Sequence, residues 1–123
     1  MSILVIDDSG FMRSLMRMSL QSAGYTVEEV DPTSLFDVLQ ALHRVRPDLL
    51  ITDYEMPKCN GETLVRAVRE DRVLKGTPIM VVSSHRDEVL IERLSHWNLV
   101  GYLTKPLTPE TIVARVKEAL DRT

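Results

Sequence analysis

Five polar residues each stand at the end of a short apolar run in this sequence. They are Asp7, Asp8, Asp53, Ser83 and Lys105. Carboxylates that lie close together repel one another unless a cation joins them. Hard oxygen donors without thiolate or imidazole favour Mg²⁺, which leaves coordination positions for phosphate oxygens. A lysine adds a positive point charge, and a serine hydroxyl adds a hydrogen bond to a phosphoryl oxygen. If the fold brings these side chains together, they favour phosphoryl chemistry.

Asp53 is the residue around which this hypothesis is organised. It follows the buried-type run 49–51, and Met56-Pro57 and Asn60-Gly61 then stop the strand and turn the chain. Taken alone, an Asp before a Pro and a Gly is more typical of a turn or a helix cap. Because the other four residues also follow apolar runs, the combination favours a functional site at the end of a central strand.

The apolar runs alternate with stretches of helical spacing. Strands are predicted at 3–6, 26–30, 49–51, 79–82 and 100–104, and helices at 10–23, from 31 or 33 to before 47, at 62–71, at 87–96 and from 108 onward. Asp31 or Thr33 is the expected cap of the second helix. The second strand is expected near a sheet edge because Glu28 and Glu29 interrupt it.

This alternation predicts an α/β fold with a five-stranded parallel sheet and helices on both faces. Right-handed crossovers would bring the strand ends that precede helices to one edge of the sheet. The five polar residues would then share one rim. Arg13 and Arg17, on the first predicted helix, are expected to belong to a solvated face.

Composition narrows the class of protein. The chain has 123 residues, 44% hydrophobic and 27% charged, which suits one globular domain spanning residues 1–123. The formal net charge of -3 argues against direct nucleic-acid binding. Cys59 is the single cysteine, so no internal disulfide can form. No stretch resembles a signal peptide or a membrane span, so we expect a cytoplasmic protein without membrane association.

Four motifs resemble the receiver domains of two-component response regulators. They are Ile6-Asp7-Asp8-Ser9, Asp53-Tyr54-Glu55-Met56-Pro57 with Gly61, Ser83-Ser84, and Gly101-Tyr102-Leu103-Thr104-Lys105-Pro106. The resemblance covers essentially the whole chain. The segment Phe11-Met12-Arg13 is similar to the single-domain chemotaxis-type regulators of this family. The resemblance implies a doubly wound, flavodoxin-like sheet of strand order 2-1-3-4-5, and a phosphorylation switch of bacterial signalling.

The resemblance also implies roles for individual residues. Asp53 would accept a phosphoryl group from a sensor histidine kinase or a phosphotransfer protein. Mg²⁺ would be bound by Asp8, Asp53 and the backbone carbonyl of Glu55, with Asp7 acting through water. Lys105 and Ser83 would contact the phosphoryl group, Tyr102 would swing inward, and Lys105-Pro106 would be cis. The face made by the fourth helix, the fifth strand and the fifth helix would then be read by a downstream protein or by an output domain outside this segment.

Three positions in or beside the site depart from the usual pattern of the family or are variable in it. Ser83 stands where the family more often has Thr. Glu55 and His85 occupy variable positions. They are either solvated loop residues or side chains that lean over the mouth of the site and pair when His85 is protonated. Such a pair would shield the acyl phosphate from water, whereas a free carboxylate would speed its hydrolysis.

Two alternative functions stay open from the sequence. An aspartyl-phosphate phosphatase of the haloacid-dehalogenase type also uses a strand-end Asp, Mg²⁺ and a Lys, but it requires a second Asp where this chain has Glu55. A pseudo-receiver would bind partners without ever taking phosphate, although such domains usually lack some of the acidic or lysine positions. The preferred prediction is a self-phosphorylating switch, not an enzyme.

Overall fold

The computed structural model describes all 123 residues, and strands and helices alternate along the chain as predicted. The elements are β1 (Ser2–Ile6), α1 (Gly10–Ser22), β2 (Thr26–Val30), α2 (Leu35–Val45), β3 (Leu49–Asp53), α3 (Gly61–Glu70), β4 (Ile79–Ser83), α4 (Glu88–Ser95), β5 (Gly101–Thr104) and α5 (Pro109–Asp121). No helix is both long enough and apolar enough to cross a bilayer.

The five strands form one parallel sheet in the order β2-β1-β3-β4-β5. This confirms the predicted doubly wound, flavodoxin-like architecture. It also confirms β2 as an edge strand. Strand β3 is central and buried along its whole length, as expected for a strand covered on both faces.

Successive residues of the strands pack into two separate cores. Leu4, Leu50 and Val81 face a core completed by α2, α3 and α4. Their neighbours in the chain, including Ile51 and Val82, face the opposite core, which α1 and α5 complete. The period of two along each strand therefore explains why short, uninterrupted apolar runs are needed: both faces of the sheet are buried.

Helix α2 begins later than the sequence predicts. Its N-cap is Ser34, whose hydroxyl accepts a hydrogen bond from the Asp37 N–H at 3.1 Å. The predicted caps, Asp31 and Thr33, are both outside the helix, and the Thr33 hydroxyl bonds to the Asp37 carboxylate at 2.5 Å. Because Ser and Thr are both good caps, local preference alone does not choose between adjacent hydroxyl residues.

Candidate phosphoryl and metal site

The predicted site residues converge at the carboxyl edge of the sheet. Strand β3 lies between β1 and β4, and β5 lies beside β4, so the residues that follow these four strands are neighbours. Where β4 and β5 end, the backbone N–H of Lys105 donates to the backbone carbonyl of Ser83 at 2.7 Å. The peptide bond between Lys105 and Pro106 is cis, which confirms the prediction.

Three carboxylates form the centre of the site. Oxygen atoms of Asp7, Asp8 and Asp53 all lie within 4.8 Å of one another. Asp7 and Asp53 are buried, whereas Asp8 is exposed. The buried Oδ1 atom of Asp53 accepts no hydrogen bond. This oxygen lies 3.5 Å from Lys105 Nζ, as an ion pair without a hydrogen bond. A buried oxygen with no hydrogen bond, in a cluster of hard oxygen donors, fits a cation such as Mg²⁺.

Lys105 provides the positive charge of the cluster. Its Nζ atom donates to Asp7 Oδ2 at 3.3 Å and lies 3.5 Å from Asp53 Oδ1. The second oxygen of Asp7 accepts a hydrogen bond from the Ser9 N–H at 2.8 Å. Ser9 is also the N-cap of α1, with its hydroxyl accepting from the Met12 N–H. One loop residue thus begins the helix and orients a carboxylate.

The pKa of Asp53 is raised from 3.8 to about 6. Burial is the largest cause, followed by the negative charge of Asp7, and the charge of Lys105 only partly offsets them. Burial likewise raises the pKa of Asp7, against the opposing effects of the Ser9 N–H and Lys105. Partial burial acts to lower the pKa of Lys105, but the charges of Asp7 and Asp53 outweigh it and raise that pKa.

Ser83 is fully buried, and its hydroxyl is held by Glu55. The hydroxyl donates to Glu55 Oε1 at 2.6 Å and accepts from the His85 N–H at 3.1 Å. The other carboxylate oxygen of Glu55 accepts from the Ser84 N–H at 3.3 Å. In this structure both oxygens of Glu55 bind Ser83 and Ser84, and Glu55 does not pair with the His85 ring. Shielding of an acyl phosphate by a Glu55–His85 pair stays a prediction.

Tyr102 is connected to the same loop. Its hydroxyl donates to the backbone carbonyl of His85 at 3.0 Å. His85 therefore contributes only backbone groups, an N–H toward Ser83 and a carbonyl toward Tyr102. This short chain of hydrogen bonds joins the end of β4 to the aromatic residue on β5.

Arg13 is a site-supporting residue that sequence analysis missed. It was expected on a solvated face, yet its Nη1 donates to the carbonyl of Asp7 at 2.6 Å and its Nε pairs with Glu29 at 3.3 Å. Arg17 also pairs with Glu29, at 2.6 Å. The expectation of a solvated face was wrong for Arg13 because its partner Glu29 lies on strand β2. The sequence of α1 alone does not indicate that contact.

Gly61 allows α3 to begin against the end of β3. A Cβ atom at this position would lie 2.7 Å from Tyr54 Cα and 2.8 Å from the Asp53 carbonyl oxygen. The Gly61 N–H donates to the Tyr54 carbonyl at 3.1 Å. A side chain here would therefore push on the backbone that carries Asp53.

The sheet topology and this acidic cluster together define a strand-end site at the switch point of an open α/β sheet. Comparison with known proteins agrees. Residues 3–117 match the family model described as the response regulator receiver domain. The chain therefore belongs to the response regulator receiver family, which consists of signalling switches and not of enzymes in the usual sense.

Similar proteins include both short and long members of the family. The chain is 32% identical to the chemotaxis protein CheY of Pseudomonas aeruginosa, over 99% of this chain and 98% of that protein. It is 30% identical to the phosphate regulon transcriptional regulatory protein PhoB of the same organism, over 99% of this chain but 52% of the relative. Both relatives are bacterial.

Solved structures support the same assignment. The chemotaxis response regulator CheY4 of Vibrio cholerae is 30% identical and superposes with a TM-score of 0.86, covering 96% of this chain and 97% of that one. A response regulator from Chloroflexus aurantiacus is also 30% identical, with a TM-score of 0.86 over 98% of both chains. The family assignment favours the receiver over the haloacid-dehalogenase alternative.

Proposed function

We propose that residues 1–123 form a phosphoacceptor receiver domain that works as a switch in a cytoplasmic two-component relay. Asp53 accepts a phosphoryl group from a phosphohistidine on a sensor kinase or a phosphotransfer protein. The observation that carries this proposal is the environment of Asp53: a buried carboxylate with one unpartnered oxygen, 3.5 Å from a lysine and beside two further carboxylates.

The proposed transfer is an in-line displacement on phosphorus. An oxygen of ionised Asp53 forms a bond to phosphorus while the bond from phosphorus to the imidazole nitrogen breaks. The imidazole leaves with the bonding electron pair. With a pKa of about 6, Asp53 is mostly ionised and therefore nucleophilic at pH 7. Lys105 is close enough to Asp53 to contact a phosphoryl oxygen once the acyl phosphate forms.

Mg²⁺ is the proposed metal, held by Asp8, Asp53 and the backbone carbonyl of Glu55, with Asp7 acting through water. The buried Asp53 oxygen that accepts no hydrogen bond and the all-oxygen donor set fit this ion. When bound, Mg²⁺ neutralises negative charge on the carboxylates and on phosphoryl oxygens. Asp7 and Lys105 hold each other in place beside that position.

The proposed output surface is the face of α4, β5 and α5. Tyr102 lies on β5, and its hydroxyl is bonded to the loop that follows Ser83. A change in the position of Ser83 would therefore reach Tyr102 through the backbone of His85. A downstream protein, or an output domain on a longer chain, would read this face.

The test is the intact mass of the protein after incubation with acetyl phosphate and Mg²⁺. Wild type should gain one phosphoryl group, and Asp53→Asn should gain none. Asp121→Asn, which changes an exposed acid at the end of α5, should gain one group as wild type does. If wild type gains nothing, the pseudo-receiver alternative is correct. If Asp53→Asn gains as much as wild type, a different residue is the acceptor.

A further inference from the structure

The Ser83 hydroxyl already donates its proton in a hydrogen bond to another side chain. The proton is donated to Glu55 Oε1 at 2.6 Å, while the hydroxyl oxygen accepts the His85 N–H at 3.1 Å. A serine hydroxyl has only one proton to donate. Ser83 can therefore bond to Glu55 or to a phosphoryl oxygen on Asp53, but not to both at once.

We propose that Glu55 is a positioning residue that holds the Ser83 hydroxyl away from Asp53 until phosphorylation displaces it. This inference rests on the function proposed above, since it needs a phosphoryl group at Asp53. The carboxylate of Glu55 and the phosphoryl oxygens compete for one proton. Both are charged acceptors, which form stronger hydrogen bonds than neutral ones, so loss of the Glu55 contact offsets part of the free energy gained when Ser83 binds a phosphoryl oxygen.

The contact also restrains the backbone beyond Ser83. Glu55 Oε2 accepts the Ser84 N–H at 3.3 Å, so a single side chain from the loop after β3 holds two successive residues at the end of β4. The next residue, His85, accepts the hydroxyl of Tyr102. Release of Glu55 would free this segment to move, and the Tyr102 contact would carry the movement to β5.

A simpler effect of Glu55 must be separated from this one. Its negative charge lies close enough to contribute to the raised pKa of Asp53, after the larger contributions of burial and Asp7. The same charge would repel a phosphoryl group whether or not Ser83 is present. The two effects differ in one respect: only the hydrogen-bond competition requires the Ser83 hydroxyl.

A double-mutant cycle on beryllofluoride binding makes this separation. Beryllofluoride with Mg²⁺ is a stable mimic of the phosphoryl group on a carboxylate. The variants are Glu55→Ala, Ser83→Ala and the double variant. Glu55→Ala keeps the backbone carbonyl proposed as a metal ligand. Because Glu55 is largely exposed, we expect the substitution to tighten binding only roughly threefold to tenfold in the presence of Ser83.

In the Ser83→Ala background, the same substitution should have a clearly smaller effect. Glu88→Ala is the matched control, because Glu88 is an exposed acid that pairs with Arg86 and contacts neither Ser83 nor Asp53. It should bind beryllofluoride as wild type does. Equal tightening by Glu55→Ala in both backgrounds would reduce the role of Glu55 to its charge and overturn the proposal.

A measurement without metal checks the contact itself. In the metal-free protein, Glu55→Ala should shift the backbone amide resonance of Ser84 and speed its hydrogen exchange, and unchanged values would overturn the proposal. A wild type that binds no beryllofluoride would overturn the proposed function and this inference with it. If wild type binds beryllofluoride and Glu55→Ala binds it no more tightly, only the role of Glu55 is overturned.

Discussion

Replacing Asp53 with Asn should make the metal-free protein more stable at pH 7. In the folded protein Asp53 is 3% exposed and lies beside Asp7, so ionisation of its carboxyl group is unfavourable there. In the unfolded chain the same group ionises freely. The negative charge of Asp53, which the proposed phosphoacceptor role requires, therefore lowers the free energy of unfolding.

The size of the penalty follows from the pKa. The pKa of Asp53 rises from 3.8 to about 6 on folding. At ~1.4 kcal/mol for each pKa unit, ionised Asp53 lowers the free energy of unfolding by about 3 kcal/mol. Asparagine removes this penalty but leaves Lys105 with Asp7 as its remaining carboxylate partner. We therefore expect a net gain of about 1–3 kcal/mol.

The sign of the pH dependence is opposite to that of a salt-bridged acid. Between pH 4 and 6 the folded protein holds a proton on Asp53 that the unfolded chain has lost. This group therefore lowers the free energy of unfolding as pH rises through that range. The advantage of Asp53→Asn should be full at pH 7, should shrink below pH 6, and should be absent near pH 4.

Urea unfolding in EDTA at pH 4, 6 and 7 measures this difference. Asp121→Asn is the control for loss of an acid, because Asp121 is exposed at the end of α5 and is not among the groups that shift the pKa of Asp53. Adding Mg²⁺ should stabilise wild type more than Asp53→Asn, since the variant lacks a proposed ligand. If Asp53→Asn is no more stable than wild type at pH 7, or if its advantage persists unchanged at pH 4, the electrostatic account of Asp53 is wrong.

Three further predictions concern the surrounding residues. Asp8→Asn should weaken the rise in melting temperature on adding Mg²⁺, and a full wild-type rise would exclude Asp8 as a ligand. Lys105→Ala should fold, but NMR should detect no response at Tyr102 to phosphorylation; an intact response would contradict a signalling role for Lys105. Gly61→Ala should lower the free energy of unfolding by about 1–3 kcal/mol in urea, because its Cβ would meet backbone atoms. Gly76→Ala, where no atom lies within 4 Å of the added Cβ, should change it much less, and an equal loss would refute the packing argument.

The position of the site could be predicted from local signals. Each strand is a short apolar run, and the polar residue that ends it is visible in the sequence. Right-handed crossovers then leave little choice about which edge these residues share, so Asp7, Asp53 and Lys105 were expected together. They lie together in the structure, with Lys105 Nζ within 3.5 Å of both carboxylates.

The partners of individual side chains could not be predicted in the same way. Arg13 reaches Glu29 on the neighbouring strand, and Glu55 binds Ser83, 28 residues further along the chain. Strand-end spacing indicates that residues share an edge, but a long side chain at that edge has several partners within reach. Which one it binds depends on rotamers and on backbone angles that are set by packing.

The sequence by itself determined the order of the elements and the residue types at the rim, because both depend on periodicity and on chain connectivity. Only the tertiary structure decided the electrostatics. The raised pKa of Asp53 results from burial and from Asp7, which lies far away in the chain and beside it in the sheet. The hydrogen bond from Ser83 to Glu55 likewise forms only where the loops after β3 and β4 meet. A hydrogen bond depends on distances of a few ångströms, which no sequence pattern contains.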